Sequence, residues 1–235
     1  MTSNKEDYLK AIYHLTEKNG RAATQDIARR LGVAPASVSE MLSRLAQEGL
    51  LHYEPYKGSA LTEKGRQTCE AVIRVHELWE VFLVNYLDYS WSEAHEEADR
   101  LEHASSHRLA ERLDLFLQHP EYCPHGALIP RLEYHDPGSR PASQDRLRLI
   151  QLQIGQSARI QQVEEEPALL DYLQARGIRI GAVVRLKAVD TYEGPLTLWL
   201  DDRQLQISQK AAGQVWVTPL AAQTQNGGRT SQNQA

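Results

Sequence analysis

Along the first ninety positions, apolar residues return at the three- and four-residue spacing of amphipathic helices. From residue 6 to 16, Tyr8, Leu9, Ile12, Tyr13 and Leu15 follow that spacing, and Asn19-Gly20 ends the pattern in a turn. Thr24 is placed to cap a second helix over residues 25–31, which Gly32 closes. Pro35 opens a third helix, where its missing N–H is not needed. That helix runs to about residue 48, turns Val38, Met41, Leu42 and Leu45 inward, and stops at Gly49. Residues 50–54 and 60–62 then read as two short strands around a Tyr56-Lys57-Gly58 turn. Thr62 caps a long helix that passes through Val72, Val75, Leu78, Trp79, Phe82 and Leu83. Helix, helix, turn, helix, hairpin is the order of a winged helix-turn-helix.

The helical period continues after a capping box, Ser90-Trp-Ser-Glu93, to residue 103 or 107, and again over about 106–117. Pro, Gly and His crowd residues 119–145, which read as a loop and a linker. The pattern then changes to short β-type runs at 148–152, 158–163, 182–186, 196–200 and 214–217, with one helix over 167–175. An SH3-like barrel is a natural way to close so few strands. Residues 221–235 are polar and are predicted to form a disordered tail. The fold expected is therefore mainly α with a small β domain. Its parts are a winged helix-turn-helix over 1–73, a helical domain over 74–140 and an SH3-like domain over 146–220.

Composition narrows the function. No apolar run approaches the roughly 20 residues that cross a bilayer, and the start is polar, so no membrane partner and a cytoplasmic location are expected. Cys69 and Cys123 make neither a disulfide framework nor a thiolate zinc site. The net charge of -5 is unevenly spread. Residues 1–70 carry ten basic and nine acidic side chains, whereas residues 71–120 carry four and ten, together with five of the nine histidines. Acid clustered with histidine is what a cation site needs.

In a helix-turn-helix the second helix of the motif presents its N-terminal side chains to base edges in the major groove. Here those are Ala36, Ser37, Ser39 and Glu40. Thr24 and Gln25 open the preceding helix, where backbone N–H groups can meet a phosphate. Arg44, Lys57 and Lys64 are candidate contacts to the DNA backbone. The near-neutral charge of this module predicts weak DNA binding by a monomer, so tight binding needs a dimer.

The segment from Glu93 to His103 carries the metal chemistry. Asp99, Glu102 and His103 stand at i, i+3 and i+4, so they share one helical face, with His95 one turn earlier. His76 and Glu80 form a comparable i, i+4 pair on the long helix, and Asp7 on the first helix is placed to close the shell. The alternative for any one such pair is a solvated, self-paired face. His107 and His119 read as surface or capping residues.

Several ordered motifs carry a resemblance. They are Asp7-Tyr8-Leu9-x-x-Ile12-Tyr13, Asp26-Ile-Ala-x-x-Leu, Ser37-Val-Ser39, Glu48-Gly-Leu-Leu51, Leu61-Thr-x-x-Gly65, His76-Glu77-Leu78, Glu97-Ala98, Glu102-His103 and Cys123-Pro-His-Gly with Ile129-Pro130. As a set, over about residues 2–220, they resemble the diphtheria toxin repressor and manganese transport regulator family. The resemblance implies a homodimer, held through the central helices, whose metal-loaded form binds a double-stranded DNA operator and represses metal-uptake genes. By position, Asp7, Asp99, Glu102 and His103 resemble the primary metal shell, and His76, Glu80 and His95 the ancillary one. Gln161 and Glu164 resemble ligands that the SH3-like domain of some members donates. Cys123 and His125 offer a metal or redox site, which the resemblance makes a structural loop.

Where iron-type members carry Met and Cys, this chain has Asp7 and Asp99. Hard oxygen donors suit Mn²⁺, so Mn²⁺ is the expected cofactor, with Fe²⁺ as the alternative and other divalent ions able to bind in vitro. Manganese-type members often carry a second acid on the first helix, and here that position is Lys10. Two rival classes stay open. One is a metallohydrolase, since His95-Glu96-x-x-Asp99 superficially resembles a metalloprotease helix, although no enzyme is expected. The other is a winged-helix regulator that answers a non-metal ligand.

Overall fold

The computed structural model describes residues 3–131 and 146–220, so the expected tail and most of the expected linker lie outside the described residues. The chain forms two compact units, residues 1–140 and 141–235. In the first, the order is α1 (Ser3–Asn19), α2 (Thr24–Leu31), α3 (Pro35–Gln47), β1 (Leu51–Glu54), β2 (Gly58–Leu61), α4 (Glu63–Leu87), α5 (Trp91–Ala104) and α6 (His107–Phe116). Strands β1 and β2 pair antiparallel, from Leu51 against Leu61 to Glu54 against Gly58, and form the wing.

Tertiary pairing corrects the expected start of α2. Ala22 exchanges backbone hydrogen bonds with Ser59 at 2.8 and 2.9 Å, which holds the chain extended up to Ala23. Ala23 is therefore the N-cap, without a side-chain bond, and Thr24 is the first helical residue rather than the cap. The same pairing demands Gly58, where a Cβ would sit 2.7 Å from the Ala22 carbonyl oxygen at a φ of +87°. At Thr62 the cap forms as expected, its hydroxyl accepting from the Gly65 N–H at 3.0 Å. Gly65 lets α4 rest on the Leu50 backbone, since a Cβ there would meet that carbonyl at 2.0 Å.

The winged-helix core is apolar and closed: Leu9, Ile12, Ile27, Val38, Leu42, Leu45 and Cys69 are fully buried. Helix α4 runs without interruption through residue 73, so the expected boundary between the first two domains falls inside a 25-residue helix. Its second half packs Leu78 and Val81 against Leu113 and Ile129, and Leu83 against Ala94 and Ala98 of α5. Helix α5 starts at the expected capping box, and Ser106 caps α6.

The second unit contains β3 (Leu147–Arg148), β4 (Ser157–Val163), α7 (Pro167–Gln174), β5 (Val183–Val189), β6 (Leu196–Leu200), β7 (Arg203–Ile207), α8 (Gln209–Ala212) and β8 (Val215–Pro219). Its antiparallel sheet has the order β3-β8-β4-β5-β6-β7, an SH3-like domain. The strand expected over 148–152 stops after Arg148. There the Gln151 side chain accepts from the Arg148 N–H at 2.7 Å and the chain turns into a 3-10 helix that buries Leu149. Strand β7 and helix α8 were not expected. Arg203, Gln204 and Gln206 of β7 are exposed, which hides its alternation behind polar side chains. No helix of the described residues is long and apolar enough to cross a membrane.

Candidate metal centre and DNA-reading surface

Three helices of the first unit build one polar seam. Helix α5 presents Asp99, Glu102 and His103 at helical neighbour spacing, α1 brings Asp7, and α4 brings His76 and Glu80. His103 Nε2 lies 3.2 Å from Asp7 Oδ1 and 3.4 Å from Glu102 Oε1. Its other nitrogen, Nδ1, donates to Glu6 Oε2 at 2.6 Å, which leaves Nε2 facing the two carboxylates. Asp7, Glu102 and His103 each offer a donor atom, all within 4.8 Å of one another. Two oxygens and an imidazole nitrogen at that separation fit a divalent ion.

The second cluster is deeper. Glu80, fully buried, takes three histidines: His95 Nδ1 at 2.8 Å and His76 Nε2 at 3.0 Å on one oxygen, and His125 Nδ1 at 2.9 Å on the other. His76 Nδ1 donates to Glu102 Oε2 at 2.7 Å, so this imidazole joins the two clusters. His76, Glu80 and His95 form one candidate donor group, and Glu80, Cys123 and His125 supply a further set within 4.8 Å. Those last two residues, a metal or redox candidate that the resemblance makes a structural loop, stand at Glu80. A tight turn holds them, with the His125 N–H donating to Cys123 Sγ at 3.3 Å and the His125 ring edge-on to Trp91. The visible signal was Cys-x-His spacing followed by an apolar Ile129 that anchors the loop in the core.

Electrostatics separates these groups. Burial pushes the Asp7 carboxyl up, and the His103 and Lys10 charges only partly offset it. Burial would also raise Asp99, but the His76 hydrogen bond and the Lys10 charge outweigh it and hold Asp99 well below the usual carboxylate range. Burial opposes a charged His76. The Glu80 charge, with the hydrogen bonds that His76 donates to Asp99, Glu102 and Glu80, overcomes it, so the imidazolium is favoured. Burial likewise opposes a charged Glu80, and the His76 and His125 charges hold that carboxyl down.

All seven metal candidates of the first unit thus meet in one seam. Gln161 lies in β4, where the register against β8 shifts between Ile160 and Gln162, and Glu164 is ion-paired with Arg148 at 2.8 Å. The partners that the sequence does not show are Glu6 for His103, and Lys10 for Asp99 and Glu102. His119 is bound to Asp114 at 2.7 Å, and His107 is exposed.

The candidate DNA residues lie on α2, α3 and the wing. Gln25, Ala36, Ser37, Glu40, Arg44 and Lys57 are exposed, and Thr24 is half-buried. Some are already engaged: the Ser39 hydroxyl donates to the Pro35 carbonyl at 3.2 Å, and Arg44 pairs with Glu40 at 3.3 Å. Ser43 shares the exposed α3 surface, its hydroxyl donating to the Ser39 carbonyl. At the wing tip Tyr56 stands fully exposed beside Lys57, while Lys64 donates to the Glu48 carbonyl.

Known proteins match this arrangement along most of the chain. Residues 1–59 match the family described as iron dependent repressor, N-terminal DNA binding domain. Residues 62–131 match iron dependent repressor, metal binding and dimerisation domain, and residues 147–219 match the FeoA domain. A diphtheria toxin repressor of Corynebacterium efficiens is 32% identical over 215 residues, which cover 84% of this chain and 90% of that one. The HTH-type transcriptional regulator MntR of Geobacillus kaustophilus is 36% identical over 118 residues, covering 50% of this chain and 83% of that one. Among solved structures, a manganese-dependent transcriptional repressor in complex with manganese superposes with a TM-score of 0.79 at 31% identity, over 92% of this chain and all of the other.

Proposed function

The chain belongs to the diphtheria toxin repressor family of metal-dependent, DNA-binding transcriptional repressors, and from that premise we propose that Mn²⁺ is its activating ion and metal-uptake genes its targets. The observation that carries this reading is the Asp7–Glu102–His103 cluster. Asp7 rides on α1 of the DNA-binding module, whereas Glu102 and His103 ride on α5 of the dimerisation module. A bound divalent ion supplies positive charge and a cross-link between donors. Asp7 thereby ties the orientation of the recognition helix α3 to α5, and His103, oriented by Glu6, holds Nε2 toward the site. A fixed orientation in each half of a dimer lets two α3 helices meet half-sites about one DNA turn apart. Without that tie, the competent spacing is one of several, and DNA affinity falls with its population.

Oxygen donors dominate this cluster, which supports Mn²⁺ over softer ions. The Cys123 sulfur beside Glu80 and His125 favours a second reading, an Fe²⁺-responsive repressor, because a thiolate rewards a softer ion.

We assign the homodimer interface to the end of α4 and α6. Phe82 stacks on Tyr86 with ring centres 5.6 Å apart, and Phe116 lies 5.1 Å from Tyr86. Tyr86 and Phe116 stay about half exposed, next to exposed Leu109 and Leu115. An aromatic patch of that kind is buried economically against a second copy of itself. Phe116→Asp is expected to shift sedimentation toward monomer and to abolish operator binding; a dimer that persists would place the interface elsewhere.

The deciding experiment titrates Mn²⁺, anaerobic Fe²⁺ and Zn²⁺ into chelator-stripped protein while following binding to labelled genomic fragments. Shifts that need metal and are strongest with Mn²⁺ sustain the proposal. Equal shifts in chelator would overturn it in favour of a regulator with a non-metal signal.

A further inference from the structure

Lys10 stands three residues after Asp7, so both project from the same face of α1. Its Nζ lies 3.0 Å from Asp99 Oδ1 and 3.0 and 2.9 Å from the two Glu102 oxygens. The Glu102 side chain is completely buried, and that of Lys10 is only 18% exposed. An ammonium has three hydrogens and no acceptor, and here three carboxylate oxygens surround it at bonding distance.

The same two carboxylates, both in the expected primary shell, also form a separate donor set with His76. His76, Asp99 and Glu102 present ligand atoms within 4.8 Å of one another, beside the Asp7–Glu102–His103 set. Glu102 is common to both, so the seam has donors for two adjacent ions that share one carboxylate. The lysine charge, however, already sits on that side of Glu102. A cation entering the His76–Asp99–Glu102 set would need the oxygen lone pairs that the ammonium holds. It would also stand within a few ångströms of a positive charge.

We propose that Lys10 is the built-in cation of the His76–Asp99–Glu102 set: it satisfies the two carboxylates, keeps that set free of metal, and so limits the number of divalent ions each subunit takes. This rests on the metal reading above. Lys10 is a stoichiometry-determining residue and, in the metal-free protein, a charged tie between α1 and α5. Glu102 Oε1 lies 3.0 Å from Lys10 and 3.4 Å from His103, so loading of the Asp7 side draws on that oxygen, while Lys10 keeps Asp99 and Glu102 Oε2 and the tie stays in place.

The test counts ions rather than repression. Chelator-stripped full-length protein, with Lys10→Met, Lys10→Arg and the control Lys5→Met, is dialysed against saturating Mn²⁺ and its bound metal is measured by elemental analysis. Methionine keeps the stem of Lys10, and its thioether is a poor donor for Mn²⁺. Lys5 lies on the same helix but pairs with Glu48, away from the seam. Lys10→Met is expected to hold one more Mn²⁺ per subunit than the wild type. In chelator it is also expected to melt several degrees lower, a loss that Mn²⁺ reverses, because Asp99 and Glu102 are then left facing each other. Lys10→Arg and Lys5→Met should keep the wild-type count. An unchanged count in Lys10→Met overturns the proposal. If Lys10→Met does not fold, Lys10→Arg decides: an added ion despite the retained charge overturns it, and the wild-type count sustains it. Mn²⁺ on Lys10→Met but none on the wild type would sustain the role of the lysine and sink the metal response. No Mn²⁺ on either overturns both.

Discussion

Glu80 and Asp7 are both carboxylates set among histidines, and the protein treats them in opposite ways. Glu80 is fully buried and receives hydrogen bonds from three imidazoles on three separate segments. Asp7 has a side chain 45% exposed, and His103 is its hydrogen-bond partner at 3.2 Å. Burying a carboxylate is tolerable only when its lone pairs are filled, and around Glu80 the histidines fill them. Burial raises the Asp7 carboxyl instead, so its charged form is a cost to the metal-free fold. One cluster is finished by folding. The other is left to be finished by a cation, and it alone spans the two modules whose relative orientation matters.

The largest expected effect removes the charge at the finished cluster. Glu80→Gln strips three histidines of their common acceptor and is expected to cost about 3–5 kcal/mol in urea unfolding with chelator present, the usual range for breaking a buried charged set. A loss below about 1 kcal/mol would show that the cluster is not what holds α4, α5 and the Cys123 loop together. Asp7→Asn tests the other side. Stability in chelator should stay within about 0.5 kcal/mol of wild type. The Mn²⁺-dependent gain in DNA affinity should drop by about 30-fold, or ~2 kcal/mol of coupling. If Asp7→Asn keeps the full gain in a fluorescence-anisotropy titration, Asp7 does not link the two modules.

Titration sharpens the contrast next. The folded-state value of His76 is raised above its ordinary 6.5, so its contribution is complete below about pH 6.5 and is lost as pH rises through the folded value. Glu80 and Asp99 are lowered from 4.5 and 3.8, so their contributions are present above those values and are lost as pH falls. Metal-free protein should therefore melt highest between these limits and lose on the order of 1 kcal/mol on the alkaline side. Stabilisation by Mn²⁺ should move the other way and grow with pH, because ligands must shed protons to bind. Parallel pH profiles with and without Mn²⁺ would mean that the two clusters do not differ as described.

How much of this could be read from residue order depends on distance along the chain. Asp99, Glu102 and His103, or His76 and Glu80, lie within one or two helical turns, so periodicity places them on a common face. The capping box at Ser90 and the cap at Thr62 are equally local, and both form. The winged-helix order follows from caps, glycines and apolar spacing for the same reason. What stayed hidden is non-local. Thr24 loses its cap role to a pairing between Ala22 and Ser59, 37 residues apart. Cys123 and His125 join Glu80 only because the loop folds back on α4. Lys10 was legible as a departure from the family pattern, but nothing in its neighbours on α1 shows that it reaches Asp99 and Glu102.

The smallest effect is expected at the wing, and it serves as the control for all the others. Lys57 stands at an exposed tip beside Tyr56, where a phosphate contact is easy to make. Its charge is not free, because Glu54 lies 2.8 Å away and also holds Arg21 at 3.3 Å. Part of what Lys57 offers to DNA must first be taken from Glu54. Lys57→Ala is thus expected to weaken operator binding by only about 2–3-fold and to reduce the salt slope by at most about one. Because the wing touches neither metal cluster, the loss should be the same factor with and without Mn²⁺, leaving the metal-dependent ratio unchanged. A variant that alters this ratio would couple the wing to the Asp7 cluster and erase the distinction between a surface that reads DNA and a seam that decides when it can.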